Sequence, residues 1–275
     1  MLVVGFVILI SFSLYEWLGA PKPMLSFDFI WNRTVIGTCM LGSAYMVSYY
    51  CWANYFTSFL QVVNNVTIAQ AGYISSTFNV VSGVLLLIVG WAIRRTGYFK
   101  WLLYIAVPIY VFALGLMIHF RRPDQSVGYL VMCEVFISIG GSIFILIQQV
   151  AVQAAVDHQH VAAVMALLYV ATTIAGSVGA SISGSIWTNT FPVALGRFLP
   201  EESQADLETI YADLTTQLSY EIGTSTREAI QQAYGYAQTR MLAAGTGILV
   251  LAFVATFLIR NINVAKNAQV KGTVF

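Results

Sequence analysis

Everything else in the chain can be placed once Gln70–Trp101, QAGYISSTFNVVSGVLLLIVGWAIRRTGYFKW, is understood. No charged residue lies between Gly72 and Ile93, so about 20 residues can cross the roughly 30 Å of bilayer hydrocarbon as a helix. The run stops at Arg94-Arg95-Thr96-Gly97-Tyr98-Phe99-Lys100, and a second apolar run starts at Trp101. Two apolar segments joined by so short a basic turn read as an antiparallel pair of spans. Short basic loops stay on the cytoplasmic side, so the turn also sets which way the chain faces.

Composition agrees. The 275 residues are 58% hydrophobic and 9% charged, with a formal net charge of +1 and a mean hydropathy of +0.75. A soluble domain carries about 25% charged residues to cover itself with water-binding groups. The reading is an all-α polytopic membrane protein bound to a lipid bilayer. No basic patch beyond the short loops suggests nucleic acid. Cys39, Cys51 and Cys133 all lie in apolar runs without CxxC or Cys/His spacing, and read as small buried hydrophobes.

Seven spans are expected. The first, about Leu2–Trp17, lacks the basic start and small-residue cleavage site of a signal peptide. A Pro-punctuated linker follows, Gly19-Ala20-Pro21-Lys22-Pro23, running on through Asp28 to Arg33. The others cover about Val35–Leu60, Gly72–Ile93, Trp101–Phe120, Val127–Val150, Val161–Trp187 and Met241–Ile259. The domain reading is therefore a leading helix over 1–18, a cytoplasmic linker over 19–34 and five helices over 35–188. An outer loop over 189–240, a last helix over 241–260 and a cytoplasmic tail over 261–275 complete it. With Arg94 and Arg95 inside, the inner ends also collect Lys22, Arg33, Lys100, Arg260, Lys266 and Lys271. The short outer loops hold only Arg121 and Arg122. Hence the amino terminus is outside and the carboxyl terminus inside.

The outer loop carries its own pattern. Leu207, Ile210, Tyr211, Leu214 and Leu218 share one helical face, and Ser225-Thr226-Arg227-Glu228 matches a capping box. Its acidic character reads as a solvated outer domain or as a lid over an outward-facing cavity, with Tyr211, Tyr220 and Tyr234 as lid residues.

The second span has two stripes. Tyr45, Tyr49, Trp52, Phe56 and Phe59 are aromatic; Ser43, Tyr50, Asn54, Ser58 and Gln61 are polar. Polar groups inside a membrane face the bundle or a wet cavity, so the polar stripe is expected to point inward. Tyr45, Tyr49, Trp52, Asn54 and Gln61, with Gln148 and Gln149 of the fifth span, form the candidate substrate-binding set. Glu134 is the only acidic residue well inside a span and the candidate proton-coupling group. Arg94, Arg95, Gly97 and Lys100 form a candidate gating loop. Gly176, Ala180 and Gly184, interleaved with Ser177, Ser181 and Ser185, read as a small-residue packing ridge. His158 and His160 read as solvated. No catalytic, phosphate-binding, cofactor or metal pattern appears, so an enzyme is not expected.

The basic turn resembles the loop joining the second and third helices of each half of major facilitator transporters. Several stretches resemble the fungal siderophore–iron transporter branch more specifically. They are Tyr50–Phe56 with Leu60–Asn64, Ala69–Ile74, Met117–Arg121, His158–Ala162, Ile186–Pro192 and Gln269–Phe275. The resemblance runs nearly end to end. It implies fourteen helices in the whole transporter and an extracellular loop before the last one. It also implies proton-driven import of ferric chelates, with iron held by the chelator. This chain would supply one linker helix and the carboxyl-terminal six-helix bundle, and its partner would be an amino-terminal transporter half. The membrane would be the plasma membrane or an endosomal vesicle membrane. The family pattern often has an acidic residue just before the glutamine matching Gln149; here Gln148 stands there, and Glu134 is acidic instead. A seven-helix receptor, a regulatory membrane subunit without transport activity and a drug/proton antiporter of the same superfamily are the alternative readings. The last span has no lysine that could link a receptor's ligand.

Overall fold

The computed structural model describes residues 2–18 and 31–265. The Gly19–Pro23 linker, Lys22, Lys266, Lys271 and the Gln269–Phe275 stretch lie outside the described residues. What is described is helical: α1 Leu2–Leu18, α2 Arg33–Ala53, α3 Phe56–Asn64, α4 Ile68–Thr96, α5 Lys100–Phe120, α6 Val127–Ala154, α7 Val161–Phe198, α8 Leu207–Ala212, α9 Leu214–Ser219, α10 Ser225–Gly247 and α11 Leu249–Leu258. Short 3-10 turns cover His158–His160 and Glu201–Asp206.

Five stretches are long and apolar enough to cross a membrane: Ile68–Thr96, Lys100–Phe120, Val127–Ala154, His158–Phe198 and Ser225–Leu258. All described side chains of α1 except the half-exposed Glu16 are exposed, Val3 and Leu18 most of all. An apolar helix that shows nearly every face is dressed for lipid or for a neighbouring helix.

The hydrogen bonds define two ends of the bundle. At one end Lys100 Nζ donates to the Ile259 carbonyl at 2.6 Å, Arg260 N donates to Thr34 Oγ1 and Asn32 Nδ2 donates to the Ala155 carbonyl. At the other, Asn64 Nδ2 donates to the Gln125 carbonyl and Arg227 Nη2 to Asn65 Oδ1 at 3.0 Å. The chain therefore runs up through α2–α3, down α4, up α5, down α6, up α7 and down α10–α11. Helix α2 is the hub, packed on α6, α7, α10 and α11.

Local chemistry explains most boundaries. Thr67 and Gln70 form a reciprocal capping box at the start of α4, satisfying amides that a helix start leaves bare. Gly97, at φ 72°, ends the same helix in a left-handed conformation that side chains resist. The turn is then clasped: Val264 N donates to the Gly97 carbonyl at 2.8 Å, and Tyr98 pairs with Asn263.

Four stretches differ from the sequence reading. The Val35–Leu60 span is broken: Asn54 is extended and Tyr55 is left-handed at φ 59°. Contacts hold that costly backbone. Asn54 Nδ2 donates to Ser183 Oγ at 2.7 Å, the Tyr55 ring stacks on Trp187 at 4.4 Å and Gln238 Nε2 donates to the Tyr55 carbonyl. Helix α7 continues past Trp187 to Phe198 because Phe191, Ala194 and Leu195 are buried. Its 38 residues make a rod of about 57 Å, well beyond the hydrocarbon. The last span likewise starts at Ser225 rather than Met241, and its cap is Thr224, which accepts from Arg227 N, one residue before the expected box. The Leu207–Leu218 face is two short helices, because Asp213 turns the chain and accepts from the amides of Thr215 and Thr216.

Candidate functional site

The aromatic stripe of α2 is core. Tyr45 packs its ring against Tyr110 and Phe144, each at 5.8 Å, and Trp52 Nε1 donates to Tyr110 Oη at 3.3 Å. Tyr45 and Trp52 are buried, and Tyr49 is half-buried between Trp52 and Phe78. The polar stripe turns instead toward α7: Ser43 Oγ donates to the Ala171 carbonyl and Asn54 reaches Ser183. Gln61 does not continue that stripe. The break at Asn54–Tyr55 re-aims it, so its Nε2 bonds the Thr57 carbonyl of its own helix, and it borders a hollow with Tyr220 and Arg227. Gln148 is buried beside Gly42 and Thr172, with Oε1 unpartnered, and Gln149 is half-buried. The seven candidates thus divide among core, interhelical seam and outer rim.

What α2 and α7 share on their open side is a groove of about 420 Å³, lined by Met46, Tyr50, Tyr169, Thr172, Thr173, Gly176, Ser177 and Ala180. It carries hydroxyls and no charge. Tyr50 is one member of the polar stripe; in the sequence the α7 residues stand out only as small and polar. The packing ridge is real but shifted. A side chain at Gly179 would sit 2.8 Å from the Val47 backbone and one at Gly176 2.9 Å from the Tyr50 ring, while Gly184 has nothing within 4 Å.

Glu134 is completely buried on α6. Among the described residues only the Thr77 hydroxyl of α4 faces its carboxyl. Geometry links Glu134 to Arg121, just past α5. Ser138 Oγ lies 2.6 Å from the Glu134 carbonyl and 3.3 Å from the Phe78 carbonyl. The Phe78 ring lies 5.8 Å from that of Trp52, whose carbonyl Arg121 holds. Arg121 is the cation whose charge acts on Glu134. Arg121 is also completely buried: Nη1 donates to the Trp52 carbonyl at 2.7 Å, and the guanidinium lies 4.6 Å from the Phe56 ring and 5.2 Å from that of Phe59. From sequence alone Arg121 counts as a loop charge. The one signal is its place immediately beyond an apolar helix.

The 199–224 segment is tied down rather than loose. Arg227, also buried, donates to the Gln217 carbonyl and to Asn65. Tyr234, beneath it, donates to Gln217 Oε1 at 2.7 Å and packs on Trp187 and Phe191. Tyr211 is half-buried near Phe191, and Tyr220 reaches Asp206 at 3.5 Å. Hydrogen bonds from Thr216 and Thr215 hold the exposed Asp213 carboxyl below the usual range. At the opposite end Arg94 and Arg95 are exposed, Gly97 is buried and Lys100 is half-buried on the Ile259 carbonyl.

Five membrane-length helices and no strand among the described residues are consistent with an all-α membrane protein of the major facilitator type. The fold agrees with a solved bacterial homolog of the human lysosomal transporter Spinster, at a TM-score of 0.60 and 17% identity, over 88% of this chain and 53% of that one. Over its whole length the chain is related to the siderophore iron transporters of fungi. It is 58% identical over 275 residues to siderophore iron transporter mirB of Emericella nidulans, spanning 100% of this chain and 46% of that protein. It is 54% identical over 274 residues to MFS siderochrome iron transporter B of Aspergillus fumigatus (100% and 45%). Siderophore iron transporter 1 of Schizosaccharomyces pombe is 36% identical over 247 residues (90% and 40%). The chain spans about half the length of these curated relatives. No family model matches it.

Proposed function

We propose that this chain is the carboxyl-terminal half-bundle of a carrier, not an enzyme, that moves ferric siderophore chelates across a membrane. Identity of 58% to a named siderophore iron transporter along the whole chain is the observation that carries this reading. Alternating access needs two bundles rocking about a site near the midplane, so the working carrier includes an amino-terminal half. Iron travels inside its chelator as cargo.

The α2–α7 groove is this half's share of the cargo site. It lies between two crossing helices, and its hydroxyls and rings suit an uncharged, oxygen-rich chelate, since specificity in such pockets comes from a few placed polar groups. Tyr49, Tyr45 and Trp52 support it from behind. Glu134 is the proton-coupling group, because a fully buried carboxyl lies in the bundle core, where an ionisable group is costly unless it has a task. The orientation has the Arg94–Lys100 turn in the cytoplasm and the 199–224 segment outside, following the basic bias of the first end. That segment, with Tyr211, Tyr220 and Tyr234, closes over the outer mouth. The home membrane is the plasma membrane or an endosomal vesicle membrane.

Two substitutions test the reading, measured as iron-chelate uptake by cells expressing the chain with a companion amino-terminal half. Ser177→Phe fills the groove and is expected to lower uptake about tenfold or more at unchanged membrane abundance, as loss of a substrate's position does. Glu134→Gln is expected to flatten the dependence of uptake on external pH. Normal uptake in the first would remove the groove from the site; a retained pH dependence in the second would remove Glu134 from coupling.

A further inference from the structure

We propose that Arg121 is the positioning residue through which the charge state of Glu134 reaches the α2–α3 joint. The inference rests on the reading of Glu134 as the coupling carboxyl, and adds how its proton would be felt elsewhere.

The geometry has three parts. The break at Asn54–Tyr55 ends α2, and a helix end leaves its last carbonyls without intrahelical partners. Trp52, two residues before the break, is one of these, and the Arg121 guanidinium takes up its carbonyl at 2.7 Å. The same guanidinium lies against Phe56 and Phe59 of α3, the first turns beyond the joint. One buried side chain therefore touches both sides of the break.

The second part is what Arg121 leaves unused. Among the described residues its Nε and Nη2 have no hydrogen-bond partner, and the Glu134 carboxyl has only the Thr77 hydroxyl facing it. An unpaired charge in a dry interior is costly, and a cation and carboxylate that can meet recover part of that cost. With Glu134 protonated, the guanidinium remains on Trp52 and the α3 rings. With Glu134 ionised, the guanidinium is drawn to the carboxylate and its hold on the joint loosens. The remaining groups that act with Glu134 are the Thr77 hydroxyl of α4, Tyr49 of α2 and its neighbour Cys133 on α6; none of these bridges the break.

The third part is the joint itself. Tyr55 holds a left-handed backbone that its surroundings must maintain. A small change in those contacts shifts a two-state element, which is how local charge events gain reach.

The test is hydrogen–deuterium exchange of the chain in lipid nanodiscs, followed over peptides covering 53–59 as pH is varied. Glu134→Gln serves as the reference that removes intrinsic pH effects. Relative to it, the unsubstituted chain is expected to show a pH-dependent step in protection of about tenfold, the scale of one charge-assisted hydrogen bond. Arg121→Gln is expected to abolish the step while exchange in α5 and α6 stays as it was. If Arg121→Gln does not reach the membrane, Arg121→Lys carries the test: its single ammonium cannot keep the Trp52 carbonyl and the two rings while meeting the carboxylate, so the step shrinks. A step of full size in either variant, or no step in the unsubstituted chain, overturns the inference. Transport is not needed for this readout. A normal step with uptake indifferent to Glu134→Gln would instead sink the coupling reading and leave the link standing.

Discussion

Gly97 shows how much one residue can fix. Its φ is 72°, and a Cβ added there would sit 3.0 Å from Asn263 Oδ1, so a side chain has little room. Gly97→Ala is expected to cost about 1–2 kcal/mol from the left-handed backbone alone, plus the clasp to Val264. A lowered unfolding midpoint in detergent, with protease sensitivity appearing at 94–100, checks this; an unchanged midpoint would mean the clasp is incidental. At this scale the sequence is informative where a residue is odd for its surroundings. Glu134 is visible because it is the only acidic residue well inside an apolar run. Arg121 is not, since a charge at the end of a span reads as loop. Its burial depends on α3 folding over it, which depends in turn on a left-handed tyrosine that no local pattern signals.

At the scale of elements, apolar periodicity marks the helices and misses their breaks and extensions. Helix α7 outruns its apolar core because Phe191, Ala194 and Leu195 are buried where α8 and α10 pack on α7, contacts made by distant segments. The small-residue ridge is legible as packing, but which face meets α2 is not, since Gly179 and Gly184 look alike in sequence. In space they differ, and paired substitutions expose it. Gly179→Leu is expected to push α2 and α7 apart and cut the yield of folded protein severalfold, overpacking of this kind costing roughly 1–3 kcal/mol. Gly184→Leu, open within 4 Å, is expected to fold normally. Size-exclusion profiles of the two, purified in parallel, check the pairing; equal profiles would contradict it.

At the scale of the molecule, the described helices α2–α11 form one bundle whose two ends differ in chemistry. One end gathers Arg33, Arg94, Arg95, Lys100 and Arg260; the other gathers the acidic 199–224 segment, while Arg121 and Arg227 fold inward. Relatives twice as long and a groove on an open face both fit a bundle built to work against another. The most direct measurement is ferric siderophore uptake by cells lacking their own chelate carriers, given this chain alone or with the amino-terminal half of a relative. Uptake with the companion half is expected at least about tenfold above background, and Ser177→Phe is expected to abolish it. No uptake with the companion half, while both pieces are folded and present in the membrane, would contradict the proposed function.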